Sequence, residues 1–149
     1  MFIAEYNEIN KIGKLYKKWY FNTLSFEQFA EIGNAFYKQD NEKGKWKKVI
    51  PTDIINWISD LSLAYWFMDD GSSKWKDKIL AIRFCTDCFS ELEVNLLINI
   101  LKIKFDLNVT KTINKDNKWR LYTGTENYDK IKKLIYPHLL PSILYKFPI

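Results

Sequence analysis

Two adjacent aspartates, Asp69 and Asp70, are the residues of this chain best placed to do chemistry. They end the segment LSLAYWFMDDG, whose apolar residues predict a helix buried on all sides, and Gly71 is positioned to terminate it. Carboxylates there meet the negative end of the helix dipole and repel each other, so a bound cation would be stabilising. Hard oxygen ligands favour Mg²⁺, which promotes phosphodiester cleavage by activating water and neutralising charge on the leaving oxygen. By itself, Asp-Asp-Gly is also compatible with an ordinary turn.

The remaining composition argues against several other catalytic classes. His138 is the only histidine, whereas His-metal nucleases, Ser/His/Asp hydrolases and zinc peptidases all need an imidazole in a defined role. Cys85 and Cys88 have the C-x-x-C spacing of thioredoxin-like redox motifs, but no βαβ pattern precedes them. With His138 they are too few for a four-ligand zinc site. We therefore interpret them as reduced, structural cysteines of an intracellular protein.

Overall charge favours a polyanionic partner. The 149 residues carry a formal net charge of +5, and 17% of them are aromatic, which indicates one packed, basic domain. Nucleic acid or an anionic membrane surface would suit this balance. No apolar run reaches the roughly 18 to 20 residues of a membrane span, so we expect no membrane insertion. The start MFIAEYNEIN is acidic where a signal or transit peptide would be basic, so we expect the protein to stay where it is made.

The first third of the chain predicts three elements. Residues 12–23 alternate apolar and polar side chains, which indicates a strand with a basic face that includes Lys18. Ser25 is positioned to cap a helix whose apolar pattern stops near Tyr37. The polar stretch QDNEKGKWKK then predicts a linker or an exposed hairpin. We accordingly expect a boundary after residue 50, with residues 1–50 and 51–149 forming separate parts.

The second part predicts an α+β domain. A short helix in PTDIINWISD and the Asp69–Asp70 helix precede a strand over 79–86 and a helix capped by Ser90 and Glu93. A hairpin over 107–114 and 118–123 and a last helix over 128–135 follow. One hairpin face is apolar, with Leu107, Val109, Ile113, Trp119 and Leu121.

The other face of this hairpin is polar and basic. Such side chains suit phosphates and base edges in the DNA major groove, although a solvated sheet face is the plain alternative. The candidate DNA-binding residues are Lys18, Lys74, Lys76, Arg83, Thr110, Thr112, Asn114, Lys118, Arg120 and Tyr122.

The run from Leu63 to Gly71 resembles the second copy of the LAGLIDADG motif in two-motif, intron-encoded homing endonucleases. The segments TLSFEQFAEIGNAFY and KKVIP, the capped helix after CTDCFS, and the ending YPHLLPSILYKFP are similar to that family in order and spacing. Together they extend over nearly the whole chain. The resemblance implies the LAGLIDADG homing-endonuclease fold, in which helices back an antiparallel DNA-binding sheet. It also implies a Mg²⁺-dependent, site-specific endonuclease acting on double-stranded DNA.

The same resemblance implies individual roles. Asp70 corresponds to the metal-binding aspartate, and Asp69 to the residue whose backbone carbonyl assists it. Lys48, in KKVIP, and Lys146, in LYKFP, correspond to the active-site lysines of the two halves. A lysine near the scissile phosphate stabilises developing negative charge or positions water. For either lysine alone, a solvated surface charge is the plain alternative.

The chain departs from the family pattern in the number of motif helices. No earlier LAGLIDADG helix precedes residue 50, so we expect the chain to carry one aspartate where two-strand cleavage uses two. A homodimer with two Asp70 carboxylates, a separate chain supplying the first motif helix, or a relic that binds without cutting would each fit. In a homodimer, we expect Ala64 to permit close approach and Leu61, Leu63 and Phe67 to be buried by the partner.

A maturase that binds group I intron RNA is the alternative from another functional class, since basic charge and aromatic sheets serve RNA as well. The frequent Lys, Asn and Ile residues indicate an AT-rich coding sequence and, with the absence of a transit peptide, a mitochondrial, organelle-encoded protein.

Overall fold

The computed structural model describes residues 2–9, 12–22, 24–40, 44–74 and 80–148. Their contacts divide the chain into two compact units, Met1–Asn34 and Ala35–Ile149. The sequence analysis placed its boundary after residue 50, which falls inside the second unit. Lys76, a candidate DNA-binding residue, lies outside the described residues.

The first unit is a hairpin followed by the start of a helix. Strands β1 (Phe2–Ile9) and β2 (Leu15–Asn22) pair antiparallel over their whole length. β2, which contains Lys18, confirms the strand predicted over 12–23, whereas β1 was not predicted. Helix α1 (Gln28–Phe36) starts too late for Ser25 to occupy its cap position, so that prediction was wrong.

The second unit opens with a short exposed hairpin and continues as an α+β domain. The hairpin confirms one of the two structures predicted for QDNEKGKWKK, and a single 3₁₀ turn over Ile54–Asn56 stands where a short helix was predicted. The elements are β3 (Tyr37–Gln39), β4 (Trp46–Lys48), α2 (Asp60–Asp70), β5 (Gly71–Lys74), β6 (Ala81–Cys85), α3 (Glu91–Phe105), β7 (Val109–Ile113), β8 (Trp119–Thr123), α4 (Tyr128–Ile135) and 3₁₀ turns over Tyr136–His138 and Pro141–Lys146.

Four strands form an antiparallel sheet in the order β5-β6-β8-β7. One face packs on the helices, and its core includes Ile82, Phe84 and Leu121, each at most 1% exposed. The predicted apolar face of the β7–β8 hairpin is confirmed at Val109 and Leu121. Ile113 departs from it with 54% exposure, because it ends the edge strand beyond the reach of the core.

Helix α2 is buried on one face only, which corrects the prediction that it is buried all round. Leu63, Ala64, Phe67 and Met68 pack into the core of their own domain, whereas Leu61 is 47% and Tyr65 61% exposed. The helical period of 3.6 residues separates the two sets. Ala64 is fully buried, so it cannot serve as the point of close approach for a partner helix.

Helix α3 supports the back of the sheet and is fixed at both ends. Ser90 and Glu93 form the predicted capping box, and Asp106 closes the helix in the left-handed conformation with φ of 51°. The carboxylate of Glu93 also accepts a hydrogen bond from the backbone N–H of Ile50, at 3.0 Å. Of the helices in the described ranges, none is long and apolar enough to cross a membrane.

We expect Ser90→Ala to lower the free energy of unfolding by about 1 kcal/mol, because the Oγ of Ser90 accepts from the otherwise unpaired N–H of Glu93. Urea denaturation measures the change. Ser142→Ala is the matched control, since Ser142 is exposed and makes no hydrogen bond within the described part of the chain. Equal losses in both variants would contradict the role of the capping box.

Candidate active site

The end of α2 opens onto a cavity on the exposed face of the sheet. The cavity has a volume of about 150 Å³ and is lined by Asp70, Ser72, Arg83, Cys85 and Arg120. Three of these residues, Asp70, Arg83 and Arg120, were predicted as site residues from sequence. Ser72 and Cys85 were missed. The sequence Gly-Ser-Ser-Lys after the motif carries no apolar–polar alternation that would have indicated the strand containing Ser72.

Gly71 joins the helix directly to the sheet. Gly71 ends the helix as predicted, with an extended backbone (φ of −81° and ψ of 159°) rather than a left-handed one. A Cβ at this position would lie 2.5 Å from the carbonyl oxygen of Phe67 and would also overlap the Phe67 ring. A glycine is therefore needed for close packing, which brings Asp70 to the edge of the sheet.

Lys146 binds the C-terminal end of α2. Its Nζ donates to the backbone carbonyl of Met68 at 2.7 Å and to that of Asp69 at 3.3 Å. An ammonium group there opposes the negative end of the helix dipole. Phe147, fully buried against Phe67 with ring centroids 5.7 Å apart, anchors the segment that presents the lysine. The predicted site lysine and the motif helix are thus brought together, and Lys146 supplies cationic stabilisation that the sequence analysis assigned to a metal alone.

Lys48 is placed differently. It ends β4, is exposed, and its side chain makes no hydrogen bond or ion pair within the residues that the structure describes. The structure therefore gives no contact that would bring it to Asp70 or Lys146. Its role as the second active-site lysine stays a prediction.

Arg120 is held by a carboxylate from the loop after β6. Its Nε donates to Oδ1 of Asp87 at 2.8 Å and its Nη2 donates to Oδ2 at 2.7 Å. These hydrogen bonds hold the pKa of Asp87 below its usual range and raise the pKa of Arg120. Burial raises the pKa of the neighbouring Cys85 thiol, and the negative charges of Asp87 and Asp70 raise it further. Cys85 and Cys88 are both free thiols, and this environment keeps Cys85 protonated.

Most of the remaining candidate DNA-binding residues lie in register across the polar face of the sheet. Arg83 of β6 stands opposite Ser72 of β5 and Tyr122 of β8, and Tyr122 stands opposite Thr110 of β7. The next row holds Cys85, Arg120 and Thr112. The backbone of Lys74 lies in β5, on the opposite edge of the sheet from β7.

The two candidates at the β7–β8 turn differ from each other. Lys118 is exposed at the start of β8. The side-chain oxygen of Asn114 accepts from the backbone N–H groups of Asp116 and Lys118, both at 2.9 Å. Asn114 therefore closes the hairpin turn, and its contact with DNA stays a prediction.

The described residues contain no group of three or more His, Cys, Asp or Glu side chains that could hold a metal ion. His138 lies instead beside the start of α2, with its Nε2 3.2 Å from Oδ2 of Asp60. The hard oxygen donors at the end of α2 include the exposed carboxylates of Asp69 and Asp70, the backbone carbonyl of Asp69 and the hydroxyl of Ser72. This sparse set fits a cation that keeps most of its water ligands, as Mg²⁺ does.

A helix that is buried on one face and ends in an exposed carboxylate beside the polar face of an antiparallel sheet is the arrangement that the resemblance to LAGLIDADG proteins implies. Residues 2–131 match the model of the LAGLIDADG DNA endonuclease family, and the chain belongs to this family. The predicted family and the α+β fold are confirmed.

The chain is similar over most of its length to three known proteins. A probable intron-encoded endonuclease of Wickerhamomyces canadensis is 36% identical over 146 residues, which are 95% of this chain and 60% of that protein. Cytochrome b mRNA maturase bI2 of Saccharomyces cerevisiae is 34% identical over 143 residues, 93% of this chain and 32% of that protein. A solved structure of the homing endonuclease I-WcaI bound to its DNA recognition sequence matches with a TM-score of 0.84 and 35% identity, covering 98% of this chain and 63% of that one. The chain therefore spans less than two thirds of each.

We expect Lys146→Met to lower the free energy of unfolding by about 1 to 2 kcal/mol, because it removes a charged donor from two carbonyls at the end of α2. Chemical denaturation at neutral pH measures the change. Lys48→Met is the matched control and should leave stability unchanged, since Lys48 has no such bonds in the described part of the chain. A larger loss from Lys48→Met would contradict the assignment.

Proposed function

We propose that this chain acts in intron homing as a site-specific endonuclease that hydrolyses phosphodiester bonds of double-stranded DNA. The observation that carries the proposal is the exposed Asp70 carboxylate at the end of α2, which lines a cavity on the polar face of the sheet. The buried face of α2 fixes this carboxylate relative to the sheet. Similarity to a homing endonuclease bound to its DNA recognition sequence supports the same substrate class.

The polar sheet face is the proposed DNA-binding surface. Arg83 and Lys118 are cations suited to phosphate oxygens, and the hydroxyl groups of Thr110, Thr112 and Tyr122 suit phosphates or base edges. Thr110 and Thr112 are exposed on this face, and Tyr122 is half-buried. Lys18, Lys74 and Lys76 remain candidates for DNA contacts from sequence.

We propose Mg²⁺ as the cofactor, bound by the Asp70 carboxylate with the backbone carbonyl of Asp69. That carbonyl lies 3.3 Å from the Nζ of Lys146 and has a second lone pair available. When bound, the ion supplies activation of water and stabilisation of charge on the leaving oxygen. Lys146 holds the carbonyl end of α2 in place, and its positive charge adds to the field that attracts the phosphate.

A second motif helix would complete the site. Each chain carries one Asp70, whereas cutting two strands requires two carboxylate ends, and Leu61 and Tyr65 leave an apolar stripe exposed on α2. Pairing these stripes in a homodimer would bury them and bring two Asp70 residues together at one end of the helix pair. A separate chain that supplies the first motif helix would use the same stripe, and a relic would leave it uncovered.

A second candidate function is RNA binding in the splicing of a group I intron, which the similarity to cytochrome b mRNA maturase bI2 favours. One relative is named as an intron-encoded endonuclease and another as a cytochrome b mRNA maturase. We therefore propose the mitochondrion as the location of this protein. Retention of Asp70 on an exposed helix end favours the nuclease over an RNA binder without cleavage.

We expect Asp70→Asn to abolish Mg²⁺-dependent cleavage of double-stranded DNA while leaving DNA affinity within a few-fold, because the sheet contacts are unchanged. Cleavage of plasmids carrying candidate intron-insertion sites, with parallel binding assays, measures both. Asp129→Asn is the control, since Asp129 is exposed and unpaired within the described ranges. Undiminished cutting by Asp70→Asn would contradict the metal assignment. Tight binding of intron RNA with no DNA cleavage by the unmodified chain would favour the maturase.

We expect Tyr65→Glu to abolish dimerisation, because a charge in the exposed α2 stripe would have to be buried between two helices. Light scattering of the chain, alone and with DNA, measures the assembly. Leu92→Glu is the matched control, since Leu92 is 81% exposed on α3, away from this stripe. An unmodified chain that is monomeric at all concentrations and on DNA would exclude the homodimer.

A further inference from the structure

The ion pair between Arg120 and Asp87 on the exposed face of the sheet is bidentate. Asp87 binds the side edge of the guanidinium through Nε and Nη2, at 2.8 and 2.7 Å. Both side chains keep about 30% of their surface exposed, so the pair is accessible from the face that the cavity opens onto.

This arrangement leaves a second guanidinium edge available. Of the five N–H groups of an arginine, the side edge uses one on Nε and one on Nη2, and the end edge offers one on Nη1 and another on Nη2. No further residue in the described ranges accepts a hydrogen bond from Arg120. Because the group is planar, fixing the side edge also fixes the direction of the end edge.

The charge of the pair distinguishes base recognition from phosphate binding. Asp87 neutralises Arg120 locally, which weakens the attraction to a phosphate and removes most of the counterion release that phosphate binding gains. Hydrogen bonding to a base edge depends on geometry more than on net charge. Guanine presents two adjacent acceptors, N7 and O6, in the major groove, and these match an arginine end edge. Arg83 differs: within the described part of the chain its side chain donates only to the Ser72 hydroxyl, at 3.4 Å, and no carboxylate pairs with it.

We propose that Arg120 recognises a guanine in the DNA major groove beside the cleaved phosphate and that Asp87 is the positioning residue that fixes Arg120 for this contact. The inference rests on the proposed function as a DNA endonuclease. Arg120 and Asp70 line the same cavity, which locates the recognised base pair close to the cut rather than at the ends of the site. Asp87 touches no DNA in this arrangement and acts through Arg120.

The test is selection of bound sites from a randomised library of double-stranded DNA by the full chain. The unmodified protein should enrich a guanine at one position, and Arg120→Ala should reduce that preference by about tenfold. Arg120→Lys keeps the charge but cannot donate two coplanar hydrogen bonds, so it should lose the same preference with the salt dependence unchanged. Asp87→Ala and Asp87→Asn should weaken the preference at that same position and change other positions little.

Glu91→Ala is the matched control, because it breaks an ion pair with Lys111 of β7. It should leave the selected sequence unchanged, and urea denaturation of every variant checks that each is folded. An unaltered guanine preference in folded Asp87→Ala and Asp87→Asn would overturn the role of Asp87. A uniform loss across all sequences in Arg120→Ala, with a salt slope smaller by about one, would identify a phosphate contact and overturn base recognition. If the unmodified chain enriches no sequence, the proposed DNA-binding function fails and this inference fails with it.

Discussion

The packing of Phe67 is the contact on which the rest of the site depends. Its ring is fully buried, 6.4 Å from Phe84 of β6 and 5.7 Å from Phe147 near the C-terminus, measured between centroids. These contacts join the motif helix, the sheet and the last segment of the chain. Lys146, the neighbour of Phe147, is thereby brought to the end of α2, and Gly71 keeps β5 close beneath it. A loss of this packing would displace Asp70 and its surroundings together.

The three cationic side chains around Asp70 have different partners. Lys146 binds the carbonyl end of α2, Arg120 is neutralised by Asp87, and Arg83 contacts a serine hydroxyl. Lys146 and Arg83 contact neutral oxygens and keep their charge, whereas Asp87 neutralises the charge of Arg120. The net charge of +5 therefore describes the attraction of the whole protein to a polyanion, whereas recognition near the cut depends on how individual cations are held.

Membership of the LAGLIDADG DNA endonuclease family agrees with the exposed stripe on α2. Leu61 and Tyr65 lie on the side of the helix that its own domain leaves uncovered. The chain also spans only 60% of its Wickerhamomyces canadensis relative. We propose that this stripe is the surface on which a second motif helix packs to complete the site.

Sequence alone determined the features that depend on neighbouring residues. Patterns of a few adjacent positions predicted the capped helix α3, the β7–β8 hairpin and the motif helix, and they also indicated the family. Tertiary structure decided which face of α2 is buried, so that Tyr65 rather than Ala64 is available to a partner. It also decided the partners of the charged residues. Lys146 lies 78 residues from Met68 and Arg120 lies 33 from Asp87, and no local pattern encodes contacts that only folding of the whole domain brings together.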